Sequence, residues 1–157
     1  MKGTQNAQKG MALVVSLIFL LLLTLIGITA MQNATLQEKM AGSVKLRNAS
    51  FQLAETALRT GENLVQDAHF NLAPCRFCLP PPESTRVTAA GVYAGSGPSS
   101  GVAWVKAGDG FYMIQNLGKT AFAVNVPQGE TATLYRVTAI GLQGASRSVL
   151  ESVYAKY

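Results

Sequence analysis

From position 11 to position 31 the chain holds 21 residues with neither a charge nor a proline. At about 1.5 Å of rise per helical residue, such a run matches the apolar thickness of a bilayer. Only Ser16, Thr24, Gly27 and Thr29 interrupt it, too little for the polar stripe of a helix lying on a soluble core. The run is expected to span a membrane. Beyond Met31 the pattern turns amphipathic. Val44, Phe51, Leu58 and Val65 recur at intervals of seven, with Met40, Ala54 and Ala57 near the same face and charged or amide side chains between them. Proline is absent before Pro74, so the periodicity predicts one helix from the apolar run to about residue 66, roughly 80 Å in length. The stripe Val44, Phe51, Leu58 and Val65 is its expected contact with the rest of the domain.

The pattern breaks after residue 70. Pro80-Pro81-Pro82 and the Gly- and Ser-rich stretch 95–101 forbid long regular elements, so 71–110 reads as a connecting loop. The last third alternates at a period of two. Strands are expected near 102–106, 111–117, 132–140 and 148–154, separated by turns that contain glycine. Within 134–139, Tyr135, Val137 and Ala139 share one side and Arg136 and Thr138 the other, the pattern of a sheet with one covered face. The long helix is the natural cover. The fold class that follows is α+β, a long N-terminal helix packed on a C-terminal antiparallel sheet of about four strands. Trp104 is expected in the core or on a sheet face.

Composition sharpens the membrane reading. Charged residues make up 13% of the chain and hydrophobic ones 48%, and much of that excess sits in 11–31. The formal charge is +5, with Lys2 and Lys9 both in the first ten residues. Basic residues beside an apolar span stay on the cytoplasmic side, so the segment after about residue 32 is expected outside. The remaining arginines are scattered rather than clustered on one face, which argues against direct nucleic-acid binding.

Residues 1–10 are short, polar and basic, and no small-residue cleavage site follows the apolar run. On composition alone this is an uncleaved signal anchor. The junction Lys9-Gly10-Met11, however, resembles the leader boundary of type IV pilins. Met31-Gln32-Asn33-Ala34-Thr35-Leu36-Gln37-Glu38-Lys39-Met40-Ala41-Gly42 is similar to the corresponding segment of PilX-type minor pilins, as is Arg47-Asn48 followed by Phe51-Gln52-Leu53-Ala54-Glu55-Thr56-Ala57-Leu58-Arg59. The strands at 135–139 and 150–154 also resemble that family's closing strands. The resemblance implies a leader, 1–10, removed by a prepilin peptidase between Gly10 and Met11, with Met11 then N-methylated. It implies a membrane-embedded half-helix, 11–31, and an exported domain, 32–157, joined by an αβ-loop over 71–110 with its sheet over 102–154. The implied partners are other minor pilins, the major pilin, the inner-membrane pilus assembly machinery and a large tip adhesin. The location is the inner membrane before assembly and the pilus after it. Where the family carries Glu at the fifth mature position, this chain has Val15. That departure implies a subunit needing no earlier neighbour, suited to priming assembly at or near the tip. A related subunit of type II secretion pseudopili carries a large inserted domain that this chain is too short to hold. A plain membrane-anchored periplasmic binding module is the other reading.

Candidate chemistry is sparse. Cys75-Arg76-Phe77-Cys78 is the only cysteine pair, and in an exported domain it reads as a small structural disulfide. Closing so short a loop stabilises by only about 2 kcal/mol. Thiol redox chemistry needs a helix N-terminus in a βαβ setting, which the flanking prolines do not supply. Zinc needs a fourth ligand beyond Cys75, Cys78 and the sole histidine, His69. The sequence leaves open whether the two cysteines are joined. No nucleophile elbow, phosphate loop, dinucleotide loop or paired carboxylate stands out, so neither an enzyme, a cofactor nor a metal site is expected.

Overall fold

In the computed structural model the described residues are 5–95, 97–124, 126–127 and 129–157, with backbone alone for 5–10. Residues 1–4, Lys2 among them, of the leader expected from sequence lie outside that set. Two compact units emerge, Met1–Ser43 and Val44–Tyr157.

Helix α1 runs Gln5–Gln66. In the first unit it is a bare helix. Its large apolar side chains stand exposed on every side, from Met31 at 72% to Val15 at 45%. The few hydroxyls in that stretch do not seek outside partners. Ser16 donates to the carbonyl of Leu13 at 2.8 Å, Thr24 to that of Leu21 at 2.7 Å and Thr29 to that of Ile26 at 2.9 Å. Back-bonding of this kind lets Ser and Thr sit in an apolar medium without an unpaired donor.

In the second unit, residues 44–66 of α1 lie on a five-stranded antiparallel meander. The strands are β1 (Gly91–Val92), β2 (Ala103–Ala107), β3 (Gly110–Thr120), β4 (Ala132–Gln143) and β5 (Ser146–Lys156), in spatial order β1-β2-β3-β4-β5. Strand β1 is two residues long and was not anticipated. Gly108 and Gly144, at φ 58° and 56°, open the two-residue turns of the β2–β3 and β4–β5 hairpins, where a left-handed backbone is needed.

The contact between helix and sheet differs from the heptad stripe expected from sequence. Val44 and Phe51 do not enter the core, at 55% and 47% exposure. Leu58 is half-buried at its margin, and Val65 is fully buried. The face that touches the sheet is Ser50, Ala54, Ala57, Gly61 and Val65, spaced by three and four residues. These are small, and the sheet meets them with Gly110 and Gly141. A Cβ on Gly110 would lie 2.8 Å from the Leu53 carbonyl oxygen, and one on Gly141 would collide with the Ser50 carbonyl and the Ala54 amide. Large side chains cannot fit where two backbones come this close, so Phe51, one residue round from Ser50, is turned to the flank. Ser50 Oγ lies 3.1 and 2.8 Å from the hydroxyls of Ser146 and Ser148 on β5, which pairs the buried polar group.

Both faces of the sheet are covered, not one. Under the helix, Ala57, Val65, Tyr112, Ile114, Tyr135, Val137 and Ala139 form one core, with Phe70 packed edge-on to Tyr135. On the opposite face, Val87 and Trp104 pack with Phe111, Met113 and Ile140. Thr138, expected to face solvent, is 2% exposed there. Part of the cover is the proline-rich loop itself. A 3-10 turn at Pro82–Thr85 sinks Glu83 completely, where its carboxylate accepts from the Ser100 amide at 3.0 Å, the Ser100 hydroxyl and the Trp104 indole at 3.4 Å. Arg147 clasps the same loop from β5, donating to the carbonyls of Ser84 and Val87 at 3.0 and 2.8 Å.

Candidate assembly surface

The described residues offer three surfaces on which function can be read. The first such surface is the apolar half of α1. Met11–Gln66 contains an 18-residue window of mean hydropathy 3.0, and none of that window is buried. A core helix of a soluble protein would be covered by its own chain. Each Leu, Ile or Phe side chain left in water forgoes about 1.5–3 kcal/mol of burial, so this surface needs lipid or neighbouring helices. Val15 sits in it at 45% exposure with no polar group of its own, and Met11 at its start is 68% exposed. Gly10 lies within α1. Around Gly27 and Gly42, apart from the helix's own backbone, no described atom lies within 4 Å of where a Cβ would sit.

The second surface is the cysteine loop. Cys75 and Cys78 are joined in a disulfide, with their Cα atoms 5.3 Å apart. Three polar side chains of the sheet hold the loop down. Gln115 donates to the carbonyls of Phe77 and Leu79 at 2.7 and 3.2 Å, Arg136 to that of Cys78 at 2.7 Å, and Asn116 to that of Leu72 at 2.6 Å. The Cys75 amide closes the set on the Asn116 carbonyl at 2.8 Å. Asn116 can do this because β3 bulges between Asn116 and Gly118, where Gly118 takes φ 101°. The guanidinium of Arg136 also approaches the Glu151 carboxylate to 3.0 Å, but its Nε–H is not aimed at it and stays without a hydrogen bond. The outcome is a short rigid loop that presents Leu79 at 65% exposure.

The third surface was missed from sequence. Between β3 and β4, Phe122 and Val124 stand 95% and 85% exposed. The strands expected from sequence leave 118–131 as a connection, and nothing in its pattern marked an exposed apolar tip. His69 is fully open to solvent, and its amide donates to the Asp67 carboxylate at 2.8 Å. Among the described residues no three His, Cys, Asp or Glu side chains come together. Glu83 is the buried acid, and its neighbours set its charge. Burial alone would push its carboxyl up, but the bonds from the Ser100 hydroxyl, its own and the Ser100 amide, and the Trp104 indole outweigh that and hold it below the usual carboxylate range.

The family model described as PilX N-terminal matches residues 9–59, from just before the apolar run to the helix's contact with the sheet. Over that segment the chain is similar to PilX-type minor pilins of type IV pili. This family is structural rather than enzymatic, and its members assemble with other pilus components. No curated protein and no solved structure gives a significant match to the chain. The matched segment contains both the unburied apolar helix and the small-residue face of α1. An apolar N-terminal helix that serves as membrane anchor and a domain carried on its continuation are what a pilin requires.

Proposed function

We propose that this chain is a PilX-type minor pilin that is cut by a prepilin peptidase after Gly10, N-methylated at Met11, and built into a type IV pilus at or near its tip. Before assembly it rests in the inner membrane through 11–31, with its C-terminal domain in the periplasm. The observation that supports this reading most is the stretch 11–31 of α1, exposed on all sides and free of charge, inside the matched segment. A helix of that kind can exchange lipid for neighbouring helices without exposing a polar group.

The tip position rests on Val15. A carboxylate in an apolar medium is tolerable only when paired, and in this family it pairs with the terminal ammonium of the subunit added before. With valine there, the subunit has nothing to offer an earlier neighbour, while its own Met11 ammonium remains for the next. It can begin a filament. Its neighbours are then other minor pilins and the major pilin, with a large adhesin beyond. The proposal is tested by immunogold labelling of sheared pili. Gold at one end of each fibre is expected. Gold spread along shafts would overturn the tip position, and a chain found only in membranes would overturn incorporation altogether.

A further inference from the structure

The three most exposed large apolar side chains among the described residues lie outside the apolar stretch 11–31. They are Phe122 at 95%, Val124 at 85% and Tyr157 at 74%. Register brings them to one end of the sheet. Thr120 pairs with Ala132, Lys119 with Thr133, and Thr133 in turn with Lys156, the residue before Tyr157. Beyond that end the connection 121–131 carries no charge until Glu130. The Phe122 amide donates to the Thr120 hydroxyl at 3.1 Å, and the Glu130 amide to the Pro127 carbonyl at 3.1 Å. Each arm of the connection thus pairs a backbone donor locally. At its foot opens a cavity of about 510 Å³, with Leu72, Pro74, Lys119, Thr133 and Tyr135 among its walls.

We propose that this end of the sheet docks on a phospholipid bilayer, with Phe122 and Val124 entering the apolar layer and Lys119 meeting lipid phosphates. The side chains are ordered as a leaflet is. An uncharged apolar tip comes first, the phenol of Tyr157 lies behind it, and exposed Lys119 follows one row further back, the sequence of groups found at membrane–water interfaces. Depth agrees as well. Three residues separate Lys119 from Phe122, at most about 10 Å of chain, and interfacial segments sink about 5–10 Å. A backbone donor that enters lipid must bring its own acceptor, which the Thr120 hydroxyl supplies for Phe122. The cavity beside Lys119 leaves room for a headgroup. A protein partner would fix its orientation through a few placed polar or charged groups. Residues 121–129 offer no charge for that purpose, and a lipid surface asks for none. Glu130, the one acid of the connection, is exposed and confines insertion to the interface, because a carboxylate is costly in hydrocarbon. The surface belongs to 44–157 alone and does not rest on the chain's entering a pilus.

The test uses the full chain with Phe122→Trp, held in nanodiscs of phosphatidylcholine. Bromine on lipid acyl chains quenches a tryptophan that reaches hydrocarbon, and it is placed either in the nanodisc or in added phosphatidylcholine vesicles. Emission should fall in one of these two arms, and the arm tells whether the tip enters the bilayer that holds 11–31 or a separate one. The unsubstituted chain, whose only tryptophan is Trp104 at 1% exposure, should keep its emission in both. Val124→Ser in the Phe122→Trp chain should weaken insertion about tenfold, and Glu130→Gln should strengthen it. Both positions are exposed, so neither change disturbs the core. Unchanged emission in both arms would overturn the proposal. So would weaker insertion with Glu130→Gln, the mark of a charge-matched protein partner, or a blue shift that grows with protein concentration instead of lipid, the mark of a second copy.

Discussion

Gly141→Ala should be among the most damaging single-methyl changes in this protein. The added Cβ would meet the Ser50 carbonyl oxygen and the Ala54 amide nitrogen, with Leu53 Cβ at 2.9 Å. Two of these three are backbone atoms of α1, so no side chain can swing away; the helix must lift from the sheet. Overpacking of a tight core costs about 1–3 kcal/mol, and contact with rigid backbone argues for the upper end, about 3 kcal/mol. For a domain of this size that corresponds to a melting point lower by roughly 12 °C. Phe51→Ala is the informative comparison. If the heptad stripe were the core, it would cost about 3–5 kcal/mol; at 47% exposure it should cost about 1 kcal/mol. Both variants can be followed in detergent, as full chains, by urea unfolding with the buried Trp104 as the fluorescent reporter. A Gly141→Ala loss within about 0.5 kcal/mol of zero, or a Phe51→Ala loss larger than the Gly141→Ala loss, would refute close backbone docking.

Glu83 should make stability depend on acid. Its folded carboxyl titrates below its unfolded value, so its contribution is complete above the ordinary carboxylate range of about 4 and is lost as pH falls through the folded value. Glu83→Gln should flatten that part of the profile between pH 5 and 3 while costing about 2 kcal/mol at pH 7, measured as urea midpoints against pH; an unchanged slope would count against the buried carboxylate. The double change Cys75→Ser with Cys78→Ser should lower stability by about 2 kcal/mol and leave Gln115 and Arg136 holding a looser loop, seen as faster amide exchange at Cys75. Unaltered exchange there would show that the polar clasp suffices without the disulfide.

Much of the architecture could be read from hydropathy alone. An uncharged run and a long stretch free of proline leave little but helix over 11–66, and period-two alternation locates four of the five strands to within a few residues. The packing face could not be read so directly. Heptad spacing draws attention to the largest apolar residues, whereas the sheet approaches through Gly110 and Gly141 and selects the smallest. That choice depends on glycines some 50 to 90 positions away in sequence. The second covered face was hidden for a similar reason. Pro82–Thr85 looks like loop in any local window, and only Trp104, Ser100 and Arg147 together turn it into a lid over Met113 and Ile140. Of the surfaces, the apolar helix and the cysteine pair were plain, because charge-free runs and CxxC spacing are local signals. The apolar tip at Phe122 and Val124 was not, since nothing local distinguishes an apolar side chain that is covered from one that is open.

The most direct test of the pilin account is the mass and N-terminal chemistry of the chain purified from its own cells. The account predicts a polypeptide that begins at N-methylated Met11. A chain still carrying residues 1–10 at steady state would contradict it, and the tip argument from Val15 would fall with it.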